Sequence, residues 1–124
     1  MDVANRTTVG PLDLSKKNAE ERKNGTFPAG DRKLWLLASG QRVQMVELQL
    51  QKGFFRPTHS HPEHESIGYV VSGRLQMMID GKEYTLGPGD AWHHRIGVDH
   101  WTRALEDSVA VEIHSPPRPD LLPD

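Results

Sequence analysis

Residues 53–73 read GFFRPTHSHPEHESIGYVVSG. Two runs of strand-forming residues, one holding Phe54 and Phe55 and the other Ile67, Tyr69, Val70 and Val71, stand between Gly53 and Gly73. His59, His61, His64 and Glu65 lie between them. In an extended strand, residues two apart point the same way with α-carbons about 6.5 Å apart, so His59 and His61 can converge on one ion. Pro62 breaks the segment and lets the chain re-enter as a new strand carrying Glu65. His64 has the opposite parity to the histidine pair, which favours a place at the rim over direct ligation.

Working outward, the next landmark is His100, just beyond the turn at 96–99. Six of the seven histidines fall between residues 59 and 100, a concentration that a solvated surface does not require. Three neutral imidazoles and a carboxylate hold a first-row divalent metal and leave one or two positions for water or substrate. The expected ligand set is His59, His61, Glu65 and His100. The expected cofactor is one divalent transition metal: Zn, Mn, Ni, Fe or Co.

From Asp31 onward, short apolar segments alternate with turn residues, the texture of an antiparallel sandwich or barrel. Strands are predicted at 33–38, 42–51, 54–60, 65–72, 74–80, 82–86, 90–95, 99–104 and 108–114. Asp80-Gly81, between two alternating runs, is the clearest tight-hairpin signal. Val109, Val111 and Ile113 alternate with Ala110, Glu112 and His114, so the second set faces the lumen if the strand closes a barrel. His93 and His94 are adjacent in a strand, so at most one enters that lumen. Residues 1–30 form a polar extension ahead of a domain at 31–124. Within it, Lys16 with Glu20 and Lys17 with Glu21 have helical i,i+4 spacing, consistent with a short surface helix or a loose arm. Pro116, Pro117 and Pro119 end strand pairing in the tail, where Leu121 and Leu122 can dock on a neighbouring surface.

Composition narrows the function classes. A chain of 124 residues suits one domain that folds without a structural metal or disulfide. No cysteine is present, which removes thiolate metal sites and thiol nucleophiles and fits a reducing compartment. A net charge of -2 gives no pull toward nucleic acid or an anionic membrane. The first residues lack the blocks of a signal peptide, and no apolar run approaches the ~18 residues of a membrane span. The expected setting is cytoplasmic, with a small molecule as partner.

The residues also carry a family pattern. Gly53, His59, His61, a carboxylate and Gly73 resemble the first cupin motif, G-x5-H-x-H-x3,4-E-x6-G. Gly89, Gly97 and His100 resemble the second, G-x5-P-x-G-x2-H-x3-N, with Arg95 in place of the proline and Ala104 in place of the asparagine. Counting forward from His61 reaches Glu65, whereas counting back from Gly73 reaches Ser66. Both frames stand at this point, and Glu65 is preferred because serine is a poor metal ligand. The resemblance spans roughly residues 42–118. It implies an all-β double-stranded β-helix, the cupin jelly-roll barrel, with the metal inside and pairing as a homodimer through outer strands.

The stretch ALEDSVAVEIHSPPRPDLL, residues 104–122, is similar to the end of single-domain cupins associated with pectin degradation, which open unsaturated uronates derived from pectin and alginate. That resemblance implies catalytic roles for Glu112 and Arg118 beside the metal. His114 here replaces an aromatic position, and Ser66 a common glutamine. A carboxylate midway along an apolar strand is costly to bury unless paired, protonated or useful, and Arg118 is a natural partner or a clamp for a substrate carboxylate. The expected function is a metal-dependent enzyme acting on an oxygen-rich anionic metabolite. A non-haem iron dioxygenase and a non-catalytic binding cupin are the alternatives.

Overall fold

The computed structural model describes residues 2–122. A helical turn α1 (Arg6–Val9) and a helix α2 (Ser15–Lys23) precede the strands β1 (Arg32–Ser39), β2 (Gln44–Leu50), β3 (Phe55–His59), β4 (Glu65–Ser72), β5 (Leu75–Ile79), β6 (Lys82–Leu86), β7 (Ala91–His94), β8 (His100–Ala104) and β9 (Ser108–Ser115), and a 3-10 turn at Pro119–Leu121 follows. Each strand predicted from sequence is present, with its ends within two residues of expectation. At the β5–β6 hairpin, Asp80 and Gly81 take φ of 52° and 81°, as a two-residue turn between twisted strands requires.

Two antiparallel sheets face each other, one ordered β1-β2-β9-β4-β7 and the other β3-β8-β5-β6. This is the expected jelly roll. At one end of the barrel the gap between sheets is filled by Leu50, Phe54, Val70, Leu75, Met77, Trp92, Ala104 and Ala110. A second cluster of Leu34, Val46 and Leu121 closes the flank, with Leu12 and Leu14 packed on it, so the tail docks through Leu121 while Leu122 stays exposed. Gly68 stands directly opposite both Trp92 and Glu112 in the ladder. A β-carbon there would fall 2.0 Å from the Trp92 ring, so only glycine lets the indole lie flat against β4.

The polar extension is built into the barrel. Leu12 N–H donates to Leu34 C=O at 2.7 Å, and Ala29 pairs with Phe55. The helix at 15–23 forms on the surface rather than as a loose arm, and one face of it is buried: Lys17 and Glu21 lie against the barrel, joined by an i,i+4 ion pair of 3.2 Å. On the outside of the larger sheet, Met45, Ile67, Tyr69, Val71 and Ile113 are exposed. That apolar stripe is the outer surface available to the pairing which the resemblance implies.

Candidate metal centre and its cavity

β3 and β8 are antiparallel neighbours, and His59 stands opposite His100. Directly opposed residues share a face, so both rings enter the barrel. His61, two residues on, keeps that direction, and its carbonyl accepts from Gly97 N–H at 2.9 Å, which ties the segment after β3 to the turn before β8. One ligand nitrogen from each of His59, His61 and His100 lies within 4.8 Å of the others. Two of these rings have defined tautomers. His59 Nδ1 donates to Pro57 C=O at 2.7 Å, and His100 Nδ1 donates to Val98 C=O at 3.1 Å. Each therefore presents a bare Nε2, the usual arrangement of a metal-ligating histidine held from behind.

Electrostatics keep these rings neutral. Burial, reinforced by Arg56 and by His100, pushes His59 down to about 2. Burial likewise lowers His61, with Arg118 and His59 adding to it, and it lowers His100 despite the Val98 carbonyl. Neutral imidazoles with lone pairs aimed at one point are what a divalent cation needs. The residues present fit one.

Six of the seven histidines line the same cavity: His59, His61, His64, His94, His100 and His114. His94 stacks on His100 with centroids 3.7 Å apart, and burial pushes it down to about 3. His64 lies 4.4 Å from the His61 ring, outside the three-nitrogen set, and burial lowers it to about 4. The Nε2 atoms of His64 and His94 are buried without a hydrogen-bond partner among the described residues. His93 points out, as its neighbour's inward position dictates.

Glu65 does not join the centre. Its side chain is 47% exposed and accepts from His93 Nε2 at 2.7 Å on the outer face. The inward position belongs to Ser66, which is 3% exposed and pairs with His114 on β9 and His94 on β7. Alternation along β4 leaves no freedom here: with Ser66 facing two inward histidines, Glu65 must face away. Ser66 Oγ sits 3.5 Å from His94 Nδ1.

Glu112 and Arg118 both line the cavity, but each has another partner, His114 for Glu112 and Asp120 for Arg118. The Glu112 side chain is 14% exposed, and its Oε1 lies 2.6 Å from His114 Nε2. Burial works to raise this carboxyl, and the His114 hydrogen bond with nearby His94 and Arg118 outweighs it, bringing it down to about 2. The Arg118 guanidinium instead holds Asp120 in a two-pronged contact of 3.1 and 2.7 Å.

Sequence reasoning missed the neighbours of that pair. Lys17 bridges Asp120 (2.9 Å) and Glu21 (3.2 Å), while Arg32 and Arg56 reach Glu21 at 2.6 and 3.0 Å. Four cations thus share two carboxylates, so this cluster beside the cavity carries a surplus of two positive charges, partly offset by Glu20 and Glu112 nearby. No motif announces this cluster, because it joins the polar extension to β1, β3 and the tail. Of the other residues considered from sequence, Phe54, Arg56 and Trp92 also line the cavity, whereas Gln44, Gln76 and His93 are not in its lining. Trp35 is buried, and Trp101 lies beside Phe55 and Arg103.

Residues 46–115 match the cupin domain family. The pectin degradation protein KdgF of Dickeya dadantii (strain 3937) is 33% identical over 81 residues, which is 64% of this chain and 74% of that protein. Among solved structures, KdgF from Halomonas sp. aligns with a TM-score of 0.81 at 24% identity, covering 98% of this chain and 99% of that one. An RmlC-like cupin from Shewanella frigidimarina NCIMB 400 aligns equally well, with a TM-score of 0.81, 21% identity and coverage of 98% and 96%. Those two structures bear on the fold.

Proposed function

Because this chain belongs to the cupin family, we propose that its barrel is the active site of a metal-dependent enzyme acting on a small, oxygen-rich anionic metabolite, and specifically that it converts an unsaturated uronate to its linear keto form. The observation that carries the proposal is a coincidence in space. A three-imidazole centre, a buried carboxylate and a cationic cluster open onto one cavity.

His59, His61 and His100 would hold the ion, which supplies Lewis acidity toward a carbonyl or hydroxyl oxygen. Glu112, held as a carboxylate, takes a proton from one substrate atom and returns it to another. The surplus positive charge of Lys17, Arg32, Arg56 and Arg118 attracts the substrate carboxylate and orients it, with Arg118 as the residue whose position the pectin-associated resemblance also implies. Trp92 and Phe54 form an apolar wall that keeps water from the reacting face. The substrate class follows the relative named for pectin degradation and the charge of that cluster.

The test is conversion of an unsaturated uronate by protein loaded with Zn, Mn or Ni, followed by loss of the ring double bond in NMR. Metal-dependent conversion is expected. A saturable ligand that is never transformed would make this a binding protein, and Fe(II)-dependent oxygen uptake would make it an oxygenase.

A further inference from the structure

We propose that His114 is a positioning residue for the reaction: it shares one proton with Glu112, and Gln44 fixes the tautomer that makes this possible. This rests on the reading of Glu112 as the proton carrier. The argument is one of hydrogen-bond donors and acceptors and begins at a group whose role cannot change. The backbone N–H of Arg118 is an obligate donor, and it points at the Gln44 side-chain oxygen from 3.0 Å. An amide nitrogen in that place would set two donors against each other inside the protein, so Arg118 settles which end of the Gln44 amide is oxygen.

The same oxygen lies 2.8 Å from His114 Nδ1. An acceptor there requires Nδ1 to carry hydrogen. The other ring nitrogen, Nε2, then meets Glu112 Oε1 at 2.6 Å with one proton between them, whichever atom formally holds it. Both Gln44 and His114 are 1% exposed, so water cannot substitute for either partner. The ladder enforces the arrangement, because Gln44 on β2 stands directly opposite His114 on β9. Gln44 Nε2 is left buried and unpartnered among the described residues, a cost the site bears to keep its oxygen facing the histidine.

This leaves Glu112 with one oxygen committed to His114 and the other available to substrate. When the free oxygen takes a proton, the substrate O–H bond breaks, a carboxyl O–H bond forms, and the shared proton stays on Nε2. The pair passes from neutral to one positive charge and becomes neutral again when the proton is delivered to a substrate carbon. No electrons are exchanged and no further reactant enters.

Nitrogen NMR on the zinc-loaded protein with labelled histidine tests the tautomer directly, with the His114 signals assigned by difference against His114→Phe. Protonated Nδ1 is expected in the native protein and in Gln44→Glu, whose carboxylate still accepts from both neighbours, and is expected to be lost in Gln44→Met. A bare Nδ1 in the native protein overturns the proposal. In kinetics, His114→Phe should lower kcat by roughly 10- to 100-fold while KM stays within about threefold, a loss smaller than removal of the carrier itself. An inactive Glu112→Gln beside an unimpaired His114→Phe would remove His114 and leave the Glu112 reading intact; an active Glu112→Gln would remove both. Should His114→Phe fail to fold, the native spectrum and the Gln44 pair still decide.

Discussion

Replacing Glu112 with glutamine is expected to lower kcat by roughly 10²- to 10⁴-fold, the usual contribution of a positioned acid–base group, while metal content stays unchanged. The substitution keeps shape and hydrogen bonding. The glutamine amide can donate to His114 Nε2 across the 2.6 Å gap that the carboxylate spans, so the fold has no reason to yield. The three imidazoles do not include residue 112, so their hold on an ion is untouched. Only the ability to take a proton and release it disappears. Steady-state kinetics with parallel elemental analysis checks this. Unchanged turnover would remove Glu112 from the reaction, and loss of metal together with turnover would show that the carboxylate supports the centre.

The second large effect is on stability. Metal-free protein should lose several kcal/mol of unfolding free energy between pH 7.5 and pH 5, with the loss beginning near 6.5. His59, His61, His64, His94 and His100 all have lowered pKa values in the fold, burial being the first cause for each. When the folded value lies below the unfolded one, the unfolded chain binds protons more readily, so stability is complete above the unfolded value and drains away as pH falls beneath it. Each such group costs about 1.4 kcal/mol per pH unit below ~6.5 until its folded value is reached. The rings disfavour one another's protonation, so their contributions do not simply add, yet even one or two are a sizeable share of the roughly 5–15 kcal/mol that holds a domain. The depressed carboxyls of Glu112 and Asp120 have the same sign, but their unfolded values are near 4, so they act only in stronger acid. Urea melts of chelator-treated protein at a series of pH values measure the effect. A flat profile from 7.5 to 5 would mean the histidines are solvated. Added zinc should displace the loss to lower pH, since a ligated imidazole has no lone pair to protonate.

The barrel was legible because its turns are. Asp80-Gly81 with positive φ at both residues, Gly73 pressed against the Asp107 backbone, and alternation in β2 and β9 each announce themselves in residue type. The three imidazoles were legible for the same reason, since His59 and His61 have strand parity and His100 opens the strand beside them. Glu65 was misplaced because chemistry was allowed to outvote register. β4 hides its direction: its large apolar residues Ile67, Tyr69 and Val71 face out, while Ser66 and Gly68 face in with Val70. A reader expecting bulk inside therefore assigns the wrong face. The glycine spacing back from Gly73, which reached Ser66, had the correct frame.

The cationic cluster was illegible for a different reason. Helix α2 has no apolar stripe, and the face it buries is charged, so hydropathy reports a solvated helix. Lys17 and Glu21 are buried only because Arg32, Arg56 and Asp120, distant in sequence, satisfy them. Pairing at that range has no periodicity to detect. Gln44 was hidden similarly: its meaning lies in the Arg118 backbone N–H, 74 residues away.

Everything proposed for this cavity depends on His59, His61 and His100 acting as one centre. Metal content per chain, measured by elemental analysis on the native protein and on His59→Ala and His100→Ala after the same exposure to Zn, Mn, Ni, Fe or Co and the same desalting, tests that most directly. About one ion per native chain, and almost none in folded samples of either variant, is the predicted result. A native chain that retains no ion, or variants that retain it fully, would contradict the account.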